Sequence, residues 1–303
     1  NLMAKGHGVR AIVRSDEAAR RIPDEAKAHL IADAHDGHCW DEALVGCDVV
    51  IHLIGLAHAA ARDRRNRMKR FREVNVGITG HVVNACLRNG VRRLIYLSSI
   101  KAIGEGSSEA YTETSECSPE NPYGISKREA EMLVLERTQG ASIEASIVRP
   151  PVVYGPGVKG NIARMLKLLD SGLPLPIRCL SARRSMVYVG NLVDALRRLV
   201  EVKAPVEGVF LVADAEDPLT TRELLCEMGR LMGKRVVEIP VPVPVLRGLG
   251  RLIGMKEEVD RLTRSLTVSA VRLRDELGWR PPYPRQMGLA ETVRWQIDCL
   301  AER

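Results

Sequence analysis

The 303 residues predict an α/β fold: a parallel, doubly wound sheet with a smaller C-terminal lobe. Three observations carry that prediction. Short, nearly continuous apolar runs at 9–13, 28–32, 48–53, 93–98 and 143–148 have the length and composition of strands covered by helices on both faces. Stretches of helical periodicity separate them, as in successive β-α-β crossovers. From about residue 157 the alternation loosens and prolines gather in SGLPLPI, EIPVPVPV and WRPPYP. The expected division is a sheet-bearing unit over 1–156 and a lobe over 157–303 that shares elements with the sheet.

Taken in order, the opening NLMAKGHGVRAIVRS reads as a helix end, a glycine turn and a first strand. Ligands of doubly wound sheets sit at the carboxyl ends of the strands. That rule singles out Arg14, Asp33, the 52–55 turn, Ser99, Arg149 and Pro150. The basic run ARDRRNRMKRFRE at 61–73 spreads its arginines over more than one helical face and leaves Met68 and Phe71 to pack inward. It reads as a solvated helix, so no nucleic-acid partner is expected. Residues 71–89 continue as a long helix closed by Gly90 as C-cap. Gly77 and Gly80 fall inside that helix and read as close-packing positions, not as a phosphate loop.

Residues 94–127, LIYLSSIKAIGEGSSEAYTETSECSPENPYGISK, organise the rest. An apolar strand ends at Ser98 and Ser99, a polar loop follows, and order resumes at Asn121, a helix N-cap, with Pro122 at the first helical position. Tyr123 and Lys127 are then one turn apart on one face. An ammonium beside a phenol favours the phenolate, and a strand-end serine could hold a hydroxyl or carbonyl against the tyrosine. That is an alcohol/ketone redox site.

Composition narrows the alternatives. Hydrophobic residues make up 45% and charged ones 27%, enough apolar content for a core and too little charge for global disorder. The longest apolar stretch, 49–61, is broken by His52 and His58 and falls short of the ~20 residues of a membrane span. No basic-then-apolar leader is read at the start. Seven cysteines without a Cys-x-x-Cys pair fit reduced thiols in a cytoplasmic protein, and no metal-ligand spacing is present. The net charge of +7 suits dinucleotide and nucleoside diphosphate ligands.

YGISK, preceded by SSIKAIG and followed by IEASIVRPPVVYGPG, resembles the extended short-chain dehydrogenase/reductase family of nucleotide-sugar epimerases, dehydratases and reductases. The resemblance covers nearly the whole chain. It implies a Rossmann-like dinucleotide-binding unit over 1–156 and a substrate lobe over 157–303. Counting back five residues from Gly104 makes Ser99 the catalytic serine. Tyr123 matches the acid/base, and Lys127 the residue that binds the nicotinamide ribose and lowers the tyrosine pKa. Leu53, Gly55, Asn75 and Pro150 match positions flanking the dinucleotide, and Asp33 an adenine contact. Arg14 stands where an acidic side chain would hold the ribose of NAD and an arginine would accept a 2′-phosphate, which tilts the expectation toward NADP over NAD. The strand and glycine-rich turn that normally open such a fold are expected to be missing from these residues, and dinucleotide binding to be weak as a result.

On the substrate side the resemblance points to Ser99, Lys101, Asn161, Arg184 and Arg264. Arg184, in RRSMVYVGNLVDAL, aligns with an arginine that grips the nucleotide diphosphate; Arg264 is a second phosphate candidate. Val152 and Val153 replace a substrate-contacting asparagine of many relatives, and Asn161 is the nearest substitute. Asp194 reads as a structural cap partner, and SAVRLRDELGWRPP as the family's closing helix and turn. Dehydratases of this family carry an Asp-Glu pair where Ile100 and Lys101 stand, so dehydration is disfavoured. What remains is 4-keto reduction of a UDP-N-acetylhexosamine, slightly preferred, or 4-epimerisation on retained NAD. A non-catalytic scaffold of the same fold is the alternative of another class, and a homodimer is compatible with the resemblance.

Overall fold

The computed structural model of the chain describes residues 1–57, 64–214 and 217–301. Four parallel strands form the main sheet in the order β3 (Val49–His52), β4 (Arg93–Leu97), β5 (Glu144–Arg149) and β9 (Gly208–Leu211). A second parallel pair joins β1 (Arg10–Val13) to β2 (Lys27–Leu30). All five predicted strands are found, with ends within about two residues of the expected ones.

The sheet is in two pieces, where a single one was expected. In the dinucleotide-binding strand order 3-2-1-4-5-6, the glycine-turn strand lies between the second and fourth. Among the described residues no strand pairs with both β1 and β3. The Arg10 guanidinium spans from β1 instead, donating to the carbonyls of Ala43 at 2.7 Å and Val45 at 2.9 Å.

Alternation along the strands sorts their side chains onto two faces. Leu94, Tyr96, Ala145 and Ile147 enter one core with α2 (Gly37–Leu44), α4 (Thr79–Arg88) and α5 (Pro122–Thr138). Ile95, Val148 and Phe210 enter another with α7 (Val189–Glu201) and α11 (Val271–Leu277). Coverage on both faces explains why the strands read as unbroken apolar runs. The short α1 (Asp16–Ala19) links β1 to β2.

The helix expected over 71–89 begins earlier, with α3 (Arg64–Phe71), and passes through a π-helical segment, Arg72–Ile78, into α4. Phe71 is buried and the arginines around it are largely exposed, as the sequence implied; residues 61–63 of the basic run lie outside the described residues. A Cβ on Gly80 would sit 3.3 Å from Arg137 Nη1, a close approach to α5. Gly77 would meet only a carbonyl at 3.8 Å, ordinary contact, so the close-packing reading holds for Gly80 and not for Gly77.

Beyond β5, β6 (Val152–Tyr154) pairs with β8 (Met186–Tyr188), and β7 (Arg183–Arg184) runs antiparallel to β10 (Leu219–Thr220). They close over a third core with α6 (Asn161–Asp170), α8 (Thr221–Leu231) and α12 (Arg285–Ala301). An outlying hairpin of α9 (Val243–Leu252) and α10 (Lys256–Thr263) completes the lobe. Gly278 caps α11 at φ 61°, and Trp279 donates to Asp194 at 3.0 Å, so Asp194 has the structural role expected of it.

Candidate active site

The ends of β4 and α5 meet because the chain leaves no space between them. Backbone bonds pin the end of β4 to β5: Ser98 donates to Val148 at 2.8 Å and Ile100 to Pro150 at 2.9 Å. Ser99 then caps a short 3₁₀ turn, its Oγ accepting from Lys101 N at 3.2 Å. Asn121 caps α5 by accepting from Gly124 N at 2.8 Å, with Pro122 behind it. A Cβ on Gly124 would fall 2.3 Å from the Lys101 carbonyl, so only glycine lets the helix start abut the turn after Ser99. Tyr123 is thereby delivered to Ser99.

Burial raises the Tyr123 phenol above its ordinary pKa, and a hydrogen bond with Ser99 pulls the other way. The expected lowering by Lys127 is not found in this structure. Lys127 lies one turn along the same face, but its ammonium is turned toward β4, donating to the Leu97 carbonyl at 2.8 Å and the Tyr96 hydroxyl at 3.1 Å, 4.6 Å above the Tyr96 ring. Burial lowers the lysine to about 8 while Glu131 pulls it up.

Gly55 and Asn75 complete the floor. A Cβ on Gly55 would lie 3.0 Å from Lys127 Nζ, so the turn after β3 passes tightly over the ammonium. The Asn75 amide accepts from Leu56 N at 2.7 Å and donates to Leu56 O at 3.1 Å and Ser126 Oγ at 2.9 Å. It fixes that turn against α5 from within the π-helical segment, a helix form that recurs at functional sites. Below it, Thr79 donates to Asn75 O at 2.6 Å, which leaves His52 Nε2, 2.9 Å away, as the donor to Thr79. His52 stacks on Tyr96, and burial with the Lys127 charge drives its pKa to about 3.

The sequence reading passed over Glu131. It is fully buried and accepts from Ser98 Oγ at 2.5 Å and from Arg149 Nε and Nη2 at 2.8 and 2.6 Å. One carboxylate therefore ties α5 to the ends of both β4 and β5. The signal was present, since Tyr123, Lys127 and Glu131 recur at four-residue spacing on one face.

On the open side of Ser99, Lys101 and Asn121 both donate to Glu105. Half-buried Arg184 donates to the carbonyls of Arg261 and, at 3.2 Å, Arg264; burial and the Arg261 and Arg264 charges hold it down to about 10. Arg264 pairs with Glu120 at 2.8 Å. Lys101, Arg184 and Arg264 thus gather beside Glu105, a basic group next to the Ser99–Tyr123 pair. Pro150 is buried against the Ser99 turn. Asn161 opens α6, and Leu53 is exposed after β3. Arg14 lies exposed beyond β1, and Asp33 accepts from His35 N at 2.9 Å within its own turn. Among the described residues, none of these four is bonded to Tyr123.

The parallel α/β sheet brings Ser99, Tyr123 and Lys127 together at its carboxyl edge, the place where ligands of such sheets bind. Comparison with known proteins makes this specific: the model of the NAD dependent epimerase/dehydratase family matches residues 1–213, and the chain belongs to that family. It is 33% identical over 274 residues to the UDP-glucose 4-epimerase of Vibrio cholerae, covering 89% of this chain and 83% of the relative. It is 29% identical over 281 residues to an Escherichia coli O157:H7 N-acetyl-alpha-D-glucosaminyl-diphospho-ditrans,octacis-undecaprenol 4-epimerase, covering 88% and 83%. In fold it matches the NAD complex of a Bacillus cereus UDP-glucuronic acid 4-epimerase, with TM-score 0.79, 16% identity and coverage of 98% and 93%.

Proposed function

We propose that the chain interconverts the C4 configuration of a sugar carried on a diphosphate, with Ser99, Tyr123 and Lys127 as its catalytic residues. The observation that carries this reading is the Ser99–Tyr123 contact one helical turn from a buried lysine. Tyr123 takes the proton of the sugar C4 hydroxyl while Ser99 holds that oxygen, and returns the proton at the end. A nicotinamide dinucleotide, held at Lys127, Asn75 and Gly55, would supply reversible hydride exchange at C4. Lys127 would grip the ribose, with Asn75 and Gly55 shaping the turn beside it. Arg184 and Arg264 would recognise the diphosphate, with Lys101 and Asn161 on the sugar side. On this reading the dinucleotide residues all precede residue 156, while the substrate residues come from both sides of it, Ser99 and Lys101 before and Asn161, Arg184 and Arg264 after.

Both relatives' names describe a sugar on a diphosphate, which supports this class. Within it we favour an N-acetylhexosamine and a resident NAD. A second reading is reduction of a 4-keto sugar with NADPH; exposed Arg14 after β1 supports it, since an arginine there could accept a 2′-phosphate. Incubation with UDP-glucose and UDP-N-acetylglucosamine, followed by NMR of the sugar protons, separates the two. Appearance of the C4 epimer without added reductant supports epimerisation; NADPH consumption only with a 4-keto sugar supports reduction. If neither occurs with dinucleotide supplied, the catalytic reading is wrong.

A further inference from the structure

Tyr96 brings a hydroxyl into the otherwise apolar run LIYL of β4, and its side chain is wholly buried. A phenylalanine would fill nearly the same space, whereas a phenol hydroxyl taken out of water costs free energy unless a partner answers it. The partner here is a cation. The Tyr96 hydroxyl accepts from Lys127 Nζ at 3.1 Å, and the ammonium lies 4.6 Å from the centre of the Tyr96 ring. One side chain thus offers Lys127 both an oxygen lone pair and an aromatic face. The reaction proposed above uses Lys127 and gives Tyr96 no part.

The neighbours of Tyr96 fix it in that position. His52 pairs with it across β3 and β4, stacks on its ring with centroids 5.4 Å apart, and is itself held 2.9 Å from Thr79 Oγ1. The Leu97 carbonyl takes a second ammonium proton at 2.8 Å. Of the three N–H donors of Lys127, the third has no bonded acceptor among the described residues and is left for a ligand.

The other ionisable groups around this ammonium are committed or uncharged. Glu131, one turn along α5, is already bonded by Arg149 at 2.6 Å and by Arg128 at 3.3 Å. His52 is neutral above about pH 3, and burial holds the Tyr96 and Tyr123 phenols above their ordinary range. Burial brings Lys127 down to about 8, so it is the titrating member of this cluster just above neutrality.

From the hydroxyl bond, the ring contact and the stacked support we infer that Tyr96 is a positioning residue for the reaction, holding the Lys127 ammonium in place and in its charged form. An oxygen that accepts from an ammonium favours the charged form, so removing it lets the proton leave at lower pH. The inference rests on the catalytic role given to Lys127 above.

NMR titration of the whole chain labelled with ¹³C-lysine tests it without any turnover, with Lys127→Met identifying the signal. Wild-type Lys127 should lose its proton near about pH 8, and in Tyr96→Phe about one pH unit lower, the effect of losing a hydrogen bond to a charged group. Where catalysis requires the charge, the ratio of wild-type to Tyr96→Phe turnover should climb about tenfold between about pH 6 and 9. An unchanged lysine midpoint overturns the inference, as does a turnover ratio that is flat with pH, which lost packing alone would give. If the wild type turns nothing over, the assigned reaction is at fault and the lysine midpoint still decides for or against Tyr96. Should Tyr96→Phe not fold, wild type labelled with ¹³C-tyrosine decides: the Tyr96 ring signal should shift with the Lys127 midpoint, and a signal constant through that pH refutes the role.

Discussion

At the carboxyl ends of β4 and β5, buried ionisable side chains are answered by fixed partners. Glu131 is bonded by Ser98 and Arg149, Lys127 by a carbonyl, and His52 by Thr79. On the α9–α10 hairpin the arrangement is reversed, with Val245, Leu249 and Leu252 in solvent. The difference reflects what each region must resist. A group that exchanges protons has to be held in place before substrate arrives, which requires buried, satisfied neighbours. The α9 stripe holds no such group, and its apolar side chains stay exposed because no other described element packs over them.

Substitutions can break this contrast from either side. Tyr123→Phe should have the largest effect, a loss of ~10² to 10⁴ in turnover with stability changed by only about 1 kcal/mol, since one hydroxyl is removed; steady-state kinetics beside a urea titration test this, and wild-type turnover would reassign the acid/base. Glu131→Ala strands Arg149 and frees both strand ends from α5, so the urea titration should show a loss of about 3–5 kcal/mol. A change under about 1 kcal/mol would mean that the carboxylate does not brace the site.

The acid side gives the next effect. Folded His52 binds its proton only near pH 3, whereas the unfolded imidazole does so near 6.5. Between those values the unfolded chain holds more protons, so stability falls with decreasing pH, by about 2 kcal/mol at pH 5. His52→Gln should flatten that fall, and an unaltered pH slope would show that another group causes it. Lys127 works at the other end: its ammonium is lost as pH rises through about 8, so turnover should decline above that pH if the charge is required.

On the hairpin side, Arg184→Ala should weaken binding of UDP about ten- to a hundredfold, the value of a charged hydrogen bond of ~1.5 to 3 kcal/mol. Dinucleotide affinity should hardly move. Calorimetry with both ligands decides, and an equal loss for the two would mean that Arg184 supports the fold and not the diphosphate.

Much of this was legible in the chain. Apolar runs located the strands because burial on both faces leaves them no polar side, and Asn121 and Pro122 marked the start of α5 through local hydrogen bonding. The four-residue spacing of Tyr123 and Lys127 put both on one helical face. What spacing could not supply was direction. Lys127 turns to Leu97 and Tyr96, on a strand 30 residues away in sequence, and Tyr123 is consequently raised by burial where lowering was expected. The bracing by Glu131 likewise exists only once α5 lies across β4 and β5. The outward stripe of α9 shows the same boundary: its periodicity is written in the sequence, but an apolar stripe normally faces inward. The packing of Gly250 on Val259 and of Val243 and Leu246 on the lobe core decided that this one faces solvent, because those contacts occupy the other side of the helix.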